Sequence, residues 1–399
     1  MCEEGDPFEF NDFIDTLQPK NGLATKKEID ELLIFIGGFE KWPVLIEDCR
    51  REVVKYLDFQ SRLNLGICSK DDNETVEKTK ICVKSIEIKD TQKQHYFFNN
   101  NDEFDNVTVL IQFPTRSPHN PFKWVFSQLE QDTRIQWLPR IQTQRFVVKE
   151  VIWKSCNYYQ ESVKFAERWM KKSNFELEAI KIEMGKYPFA TSQIESLPCC
   201  EKVTIGDDDV DSFKWWLKKC PKQLKNLDLD VHSKDRESFI LPFDFLNAPH
   251  VMQASEINFG CRAAFSDEQL LKLKAKSIAF VSADVTDKGI NKFMKNWAHG
   301  DGVDGFEDLC LWSTTVRNPD LMFAGLEYVE WDKTFENEQW EFVERFHQFY
   351  LRGRCFQIKS KVDRFESLTF SVNGDRVAIV ATGKRAEKNG EAYTYYRIP

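Results

Sequence analysis

Apolar positions from Trp42 onward recur with the period of a helix. Trp42-Pro43 opens a segment in which Leu45, Ile46, Cys49, Val53, Val54 and Leu57 share one side, with Pro where a first helical turn tolerates it. A second helix is expected from Phe59, capped by Asp58, to about Cys68. Its apolar positions are Leu63, Leu65, Ile67 and Cys68, and Gly66 inside it costs about 1 kcal/mol relative to Ala. Residues 1–40 form a polar lead with one apolar stretch, Ile29 to Ile36, of short-helix length and no assigned role. A segment of about 40 residues buries too little surface to hold two such helices by itself, so they need something to pack against.

Beyond about residue 83 the period changes to two. Apolar-x-apolar runs at Val151-Ile152-Trp153, Ile180-Lys181-Ile182, Val203-Thr204-Ile205, Leu227-Asp228-Leu229, Ile257-Asn258-Phe259, Ile278-Ala279-Phe280 and Leu309-Cys310-Leu311 start 21 to 31 residues apart. Helical faces lie between them: Val163, Ala166 and Met170; then Val210, Phe213, Trp216 and Leu217; then Ile290, Phe293, Met294 and Trp297. Ser266 and Gln269 have capping-box spacing. One strand and one helix per repeat predicts an irregular leucine-rich-repeat-like α/β solenoid with parallel strands. Trp340, Val343, Phe346 and Tyr350 predict a last helix. Asn373-Gly374 then joins two alternating runs as a hairpin that would cap the solenoid.

Strand alternation separates the inward apolar residues from an open face. Lys181, Thr204, Asp228, Asn258 and Cys310, with their neighbours Glu183, Asp230 and Trp312, are therefore the candidate recognition surface for a protein target.

Other patterns carry no chemistry. Gly300-Asp301-Gly302-Val303-Asp304-Gly305 matches G-x-G-x-x-G, but it follows a helix and precedes a strand, the reverse of a phosphate loop. Asp207, Asp208, Asp209 and Asp211 precede a helix and suit its N-terminus. The six histidines have no Cys or carboxylate partners at zinc-ligand spacing, and no nucleophile context is present. No cofactor, metal site or catalytic residue is expected.

Composition narrows the class further. The 399 residues are 42% hydrophobic, with 33 Phe and 11 Trp, enough for a real core, and the net charge of −9 argues against nucleic acid as the main partner. The acidic opening is unlike a signal peptide, and no run of about 18 apolar residues suggests a membrane span. A cytoplasmic or nuclear location is therefore expected, and there the eleven scattered cysteines read as reduced thiols.

The segment from Trp42-Pro43 through Val53-Val54-Lys55-Tyr56-Leu57-Asp58, Ser61-Arg62-Leu63 and Cys68-Ser69-Lys70 to the strand Ile86-Glu87-Ile88 resembles an F-box. It departs from the family pattern in having Trp42 before Pro43 and the acidic run Asp71-Asp72-Asn73-Glu74 after the second helix. Val285 to Trp297, with Thr286-Asp287-Lys288, Asn291-Lys292-Phe293 and Trp297, is similar to the signature of the type 2 F-box-associated domain of a large nematode family. The resemblance implies an F-box over 41–82, a target-recognition domain over 83–354, and capping strands over 355–399. It also implies a Skp-type adaptor, and through it a cullin, as partner of Trp42, Pro43, Leu45, Ile46, Val53, Val54, Leu57, Leu63 and Leu65. The protein would then be the non-catalytic substrate adaptor of a cullin-RING ubiquitin ligase. An interaction protein that sequesters a partner without ubiquitylation is the alternative.

Overall fold

The computed structural model describes residues 39–57, 59–81, 83–90, 106–113, 122–138, 149–172, 177–222, 224–231, 238–350 and 353–399. The Ile29 to Ile36 stretch, Asp58, His95, His119 and His232 lie outside them. Two units pack separately: Met1–Lys181 with Tyr187–Ile194, and Ile182–Lys186 with Glu195–Pro399.

The first unit opens with a 3-10 segment, Phe39–Val44, and three short helices, α1 (Glu47–Lys55), α2 (Phe59–Gly66) and α3 (Lys70–Lys78). A meander follows: β1 (Ser85–Asp90), β2 (Asn106–Gln112), β3 (Phe122–Leu129), β4 (Asp132–Leu138) and β5 (Lys149–Trp153), each antiparallel to the last. Val151-Ile152-Trp153 is thus a strand, as its pattern predicts, but it pairs antiparallel to β4 and starts no repeat. Earlier in the meander, a two-residue turn with Glu130 at φ 56° joins β3 to β4, and so short a link permits only antiparallel neighbours. Helix α4 (Tyr158–Lys172) lies on β1, β2 and β3 and buries Val163, Phe165, Ala166, Trp169 and Met170. Trp124 meets Phe165 with ring centroids 5.1 Å apart. Behind α4, the buried Glu167 carboxylate accepts from Tyr187 Oη at 2.8 Å, Ser192 Oγ at 2.6 Å and Gln193 N at 2.9 Å. These bonds hold residues 187–194 in this unit, and burial together with the Glu167 charge pushes the Tyr187 phenol well above its ordinary range. The start of β6 (Leu177–Glu183) also lies here, with Glu178 N donating to Lys84 O at 2.8 Å.

The second unit contains the expected alternation. In chain order it runs β7 (Cys200–Gly206), α5 (Val210–Leu217), β8 (Asn226–Asp230), β9 (Ile240–Leu241), α6 (Phe243–Leu246), α7 (Pro249–Met252), β10 (Glu256–Ala263), α8 (Asp267–Lys272), β11 (Ser277–Ser282), α9 (Asp287–His299) and β12 (Asp308–Ser313). The ladder β7-β8-β10-β11-β12 is parallel throughout, with Val203, Ile205, Leu227, Leu229, Ile257, Phe259, Ile278, Phe280, Leu309 and Leu311 buried on one face. Then come α10 (Pro319–Phe323), β13 (Val329–Glu330), α11 (Lys333–Glu338), α12 (Trp340–Phe349), β14 (Arg354–Lys359), β15 (Ser367–Asn373), β16 (Arg376–Lys388) and β17 (Glu391–Tyr396).

No solenoid forms. The sheet is open, and beyond β12 it continues as antiparallel strands, because the Asn373-Gly374 hairpin, with Gly374 at φ 62°, lays β16 along β12. The hairpin extends the sheet where a solenoid cap was expected. The bland readings of the loops are what the backbone shows. Gly300 is the left-handed C-cap of α9 at φ 86°, and Asp207 accepts from Asp208 N at 2.6 Å and Asp209 N at 3.2 Å ahead of α5.

The Thr286–Trp297 segment acts as a clamp between successive helices. Asp267, the first residue of α8, accepts from Thr286 N at 2.8 Å and Thr286 Oγ1 at 2.6 Å, where Thr286 caps α9. Asp287, the first residue of α9, likewise accepts from Asn318 N at 3.0 Å, where Asn318 caps α10, and pairs with Arg317 at 3.2 Å. Gly289 sits so close to Asp267 that a Cβ would collide with its carboxylate. Gly289→Ala should therefore cost about 1–3 kcal/mol of unfolding free energy. Combining it with Asp267→Ala should cost less than the sum of the two, since the clash goes with the carboxylate, and denaturant melts of the four chains measure that coupling.

Candidate functional site

The three N-terminal helices build a small core of their own. Trp42, Val54 and Val76 are buried together, with Leu45, Val53, Leu57 and Leu65 packed around them. The departures from the family pattern account for one another. The indole N–H of Trp42 donates to Asp72 Oδ1 at 2.5 Å, and Ser69, the N-cap of α3, holds the other oxygen of Asp72 at 2.7 Å. The acidic run is thus a third helix. Its signal was Ser69 with an acid three residues later, followed by the Thr75-Val76 face. Gly66 is also explained: a Cβ there would stand 3.2 Å from Asn73 Oδ1, so the glycine lets α2 approach α3.

Arg62 is the second residue that sequence reasoning passed over. It is buried, and its guanidinium donates to four backbone carbonyls: Leu57 O at 3.2 Å, Thr79 O at 3.1 Å, Lys80 O at 2.9 Å and Lys55 O at 3.3 Å. Those carbonyls end α1 and α3, so one planar fork ties the helix ends together. Thr75 Oγ1 donates to Glu47 at 3.1 Å, joining α3 to α1. Outside the core, Glu77 of α3 pairs with Arg168 of α4 at 3.2 Å.

The surface of this core is apolar where it meets solvent. Val44 is 76% exposed, Ile46 69% and Tyr56 86%, and Pro43 is exposed beside them. Of the residues expected to meet a partner, Pro43 and Ile46 therefore point outward. Trp42 and Val54 are buried, Leu45, Val53, Leu57 and Leu65 are half-buried against them, and the Leu63 side chain lies outside the described residues.

The candidate recognition residues divide between the units. Lys181 belongs to the first, 3.9 Å from Glu87. In the second, Thr204, Asp228, Asn258, Ala279 and Cys310 form one row by strand register, with Glu183 on β6 and Asp230 and Trp312 further along their strands. Asp228 accepts from Thr204 at 3.3 Å and pairs with Lys202 at 2.5 Å, while Asn258 is exposed. Cys310 packs with the cluster of Phe342, Phe346, Ala378 and Val380, and burial pushes its thiol up to about 12. Beside it, Tyr350 donates to Asp308 at 2.9 Å, and its phenol is raised by burial and by that carboxylate. Among the described residues no group of His, Cys, Asp or Glu is placed to hold a metal ion, and no helix is long and apolar enough to cross a membrane.

Over 382 residues, 96% of its length, the chain is 41% identical to an uncharacterized F-box protein of Caenorhabditis elegans, and it covers 98% of that relative. The chain belongs to the F-box protein family. No family model matches this F-box protein, and no solved structure matches it. The relative spans both units, so the family likeness takes in the sheet of the second as well as the helical core.

Proposed function

We propose that this F-box protein is the substrate-recognition adaptor of a cullin-RING ubiquitin ligase, with no catalytic residue of its own. The observation that carries the proposal is the solvent-facing apolar strip of Pro43, Val44, Ile46 and Tyr56, which the helical core of Trp42, Val54 and Val76 does not take in. A Skp-type adaptor covers that strip and joins the chain to a cullin. Trp42, Leu45, Val53, Val54, Leu57 and Leu65 act from beneath by holding the strip in shape. Residues 41–82 are the F-box, and 83–354 are the type 2 F-box-associated domain, a reading supported by the clamp that Thr286, Asp287 and Gly289 build. A protein target binds the strand face of the second unit at Thr204, Asp228, Asp230 and Asn258. Its transfer to the ubiquitin-charged enzyme is then a matter of proximity in the cytoplasm or nucleus.

Affinity purification of the full chain beside one lacking residues 42–78 tests this. The Skp-type adaptor and cullin should be lost with the deletion while target proteins stay. An adaptor retained by the deleted chain, or absent from the intact one, overturns the proposal.

A further inference from the structure

Among the described residues β17 has one neighbour. It pairs with β16, from Gly383↔Tyr396 to Lys388↔Glu391, which leaves its other edge of N–H and C=O groups open. Natural sheets blunt such edges with charge, proline or a bulge; β17 carries one charge, at its first residue Glu391, and Ala392-Tyr393-Thr394-Tyr395-Tyr396 contains none of these. Its composition is that of a strand ready to pair.

The registers say where an added strand would go. β12 pairs with β16 through Asp308↔Val380 to Trp312↔Arg376, Ala381 N donates to Glu307 O, and Arg397 N donates to Thr382 O. β12 and β17 therefore lie end to end along one side of β16. Since β11 flanks β12 on its far side, a segment laid on β17 lies in line with β11 and runs up against Lys276, the residue before that strand.

A cavity of about 270 Å³ sits at that place, lined by Lys276, Lys384, Arg397, Phe306 and Glu307 among others. Lys276 lies over Gly305, where a Cβ would stand 2.9 Å from its Nζ. Among the described residues none of the three cations has an ion-pair partner, and Glu307 and Pro399 line the same cavity. Pleat alternation puts them on one side. Tyr396 turns to Phe335 and Phe342 at 5.2 and 5.6 Å, so Tyr395, its register partner Lys384 and then Arg397 turn to the other. A second hollow of about 260 Å³ beside Tyr396 is lined by Phe342 and Trp340, the latter 59% exposed, and by the charged Glu338, Glu341, Arg345 and Arg397. The two sides of the open edge thus differ in chemistry: cations dominate one, while the other combines the Trp340 and Phe342 rings with charges of both signs.

We infer that the free edge of β17 is a docking site for an extended, acidic protein segment. It adds as a strand, with carboxylates toward Lys276, Lys384 and Arg397 and apolar side chains toward Trp340 and Phe342. Main-chain pairing supplies the affinity, and the alternation of the two faces sets the specificity. The site lies wholly in the second unit and does not depend on the helical core or on the ligase reading.

Fluorescence anisotropy on the intact chain tests it, with a labelled peptide of about eight residues in which Glu alternates with Val, long enough to span β17. The peptide should bind and weaken as salt rises. A Gln-for-Glu peptide, or the chain carrying Lys276→Glu and Lys384→Glu, should bind about tenfold more weakly. The Glu-Val peptide N-methylated on alternate residues, which cannot complete the ladder, should not bind at all. Binding of the N-methylated peptide equal to the parent, equal binding of the Glu and Gln peptides, or no binding of the parent by a folded chain each overturn the inference. The peptide comparisons decide the matter even if the double substitution disturbs folding.

Discussion

Ile46→Asp is expected to abolish capture of the Skp-type adaptor while leaving the fold as stable as before, or slightly more so. The two effects have opposite signs because Ile46 occupies a position whose local chemistry it does not serve. It is the N-cap of α1, in extended conformation, and makes no side-chain cap bond. Asp is among the best residues there and should contribute about 0.5–2 kcal/mol to the helix. A natural sequence that keeps a 69% exposed isoleucine at such a site forgoes that stability. The binding side is larger. Covering Ile46 contributes about 1.5–3 kcal/mol to an interface, and a buried unpaired carboxylate adds a desolvation penalty, so the affinity should fall by about a hundredfold or more. Val44→Asp should act in the same direction on binding without the gain from capping. Calorimetric titration against the purified adaptor, together with a thermal melt, measures both quantities. Affinity within about threefold of the natural chain would mean that the strip does not face the adaptor.

Arg62→Met should have the second large effect, and it should be confined to the helical core. Bonds from a charged donor contribute about 1.5–3 kcal/mol each, and the four here share one group. Allowing for that sharing, a loss of about 3–5 kcal/mol is expected, enough to open so small a core. Lys should not rescue it. A single ammonium cannot reach the ends of α1 and α3 together, whereas the planar fork does. Hydrogen exchange should show protection lost from 42 to 80 and kept in β7, β8, β10, β11 and β12. Adaptor binding should fall although no exposed residue has changed. Unaltered protection over α1 to α3 would show that packing of Trp42, Val54 and Val76 suffices without the fork.

These two residues mark how far the chain could be read in one dimension. The capping box of Ser266 and Gln269, the Asn373-Gly374 hairpin and all seven apolar-x-apolar strands are present where their patterns put them, because each depends on neighbours a few residues away. The α1 face is met only in part, with Val54 buried and Ile46 and Cys49 exposed. α3 was hidden by its charge. A helix that opens on KDDNE has little apolar stripe, and what identifies it is a cap and one partner 30 residues back. Of the candidate site, the exposure of Ile46 and the burial of Trp42 could not be separated, since helical periodicity groups residues by face without saying whether that face ends in the core or in water.

The same limit governs the sheet. Alternation identifies a strand and the side that will be buried, and a sharp turn identifies a hairpin, so the existence of β5, β7, β15 and β16 was written in the chain. Which strand lies beside which was not. β5 pairs antiparallel with β4 and β7 parallel with β8 although their sequences alternate alike, and β16 pairs with β12 across about seventy residues. Local propensity and period are properties of a single segment, whereas pairing, openness of the sheet and the bonds of Arg62 and Asp72 are properties of two or more segments brought together. Only the tertiary structure, where the burial of every face and the satisfaction of every polar group are settled at once, could decide them.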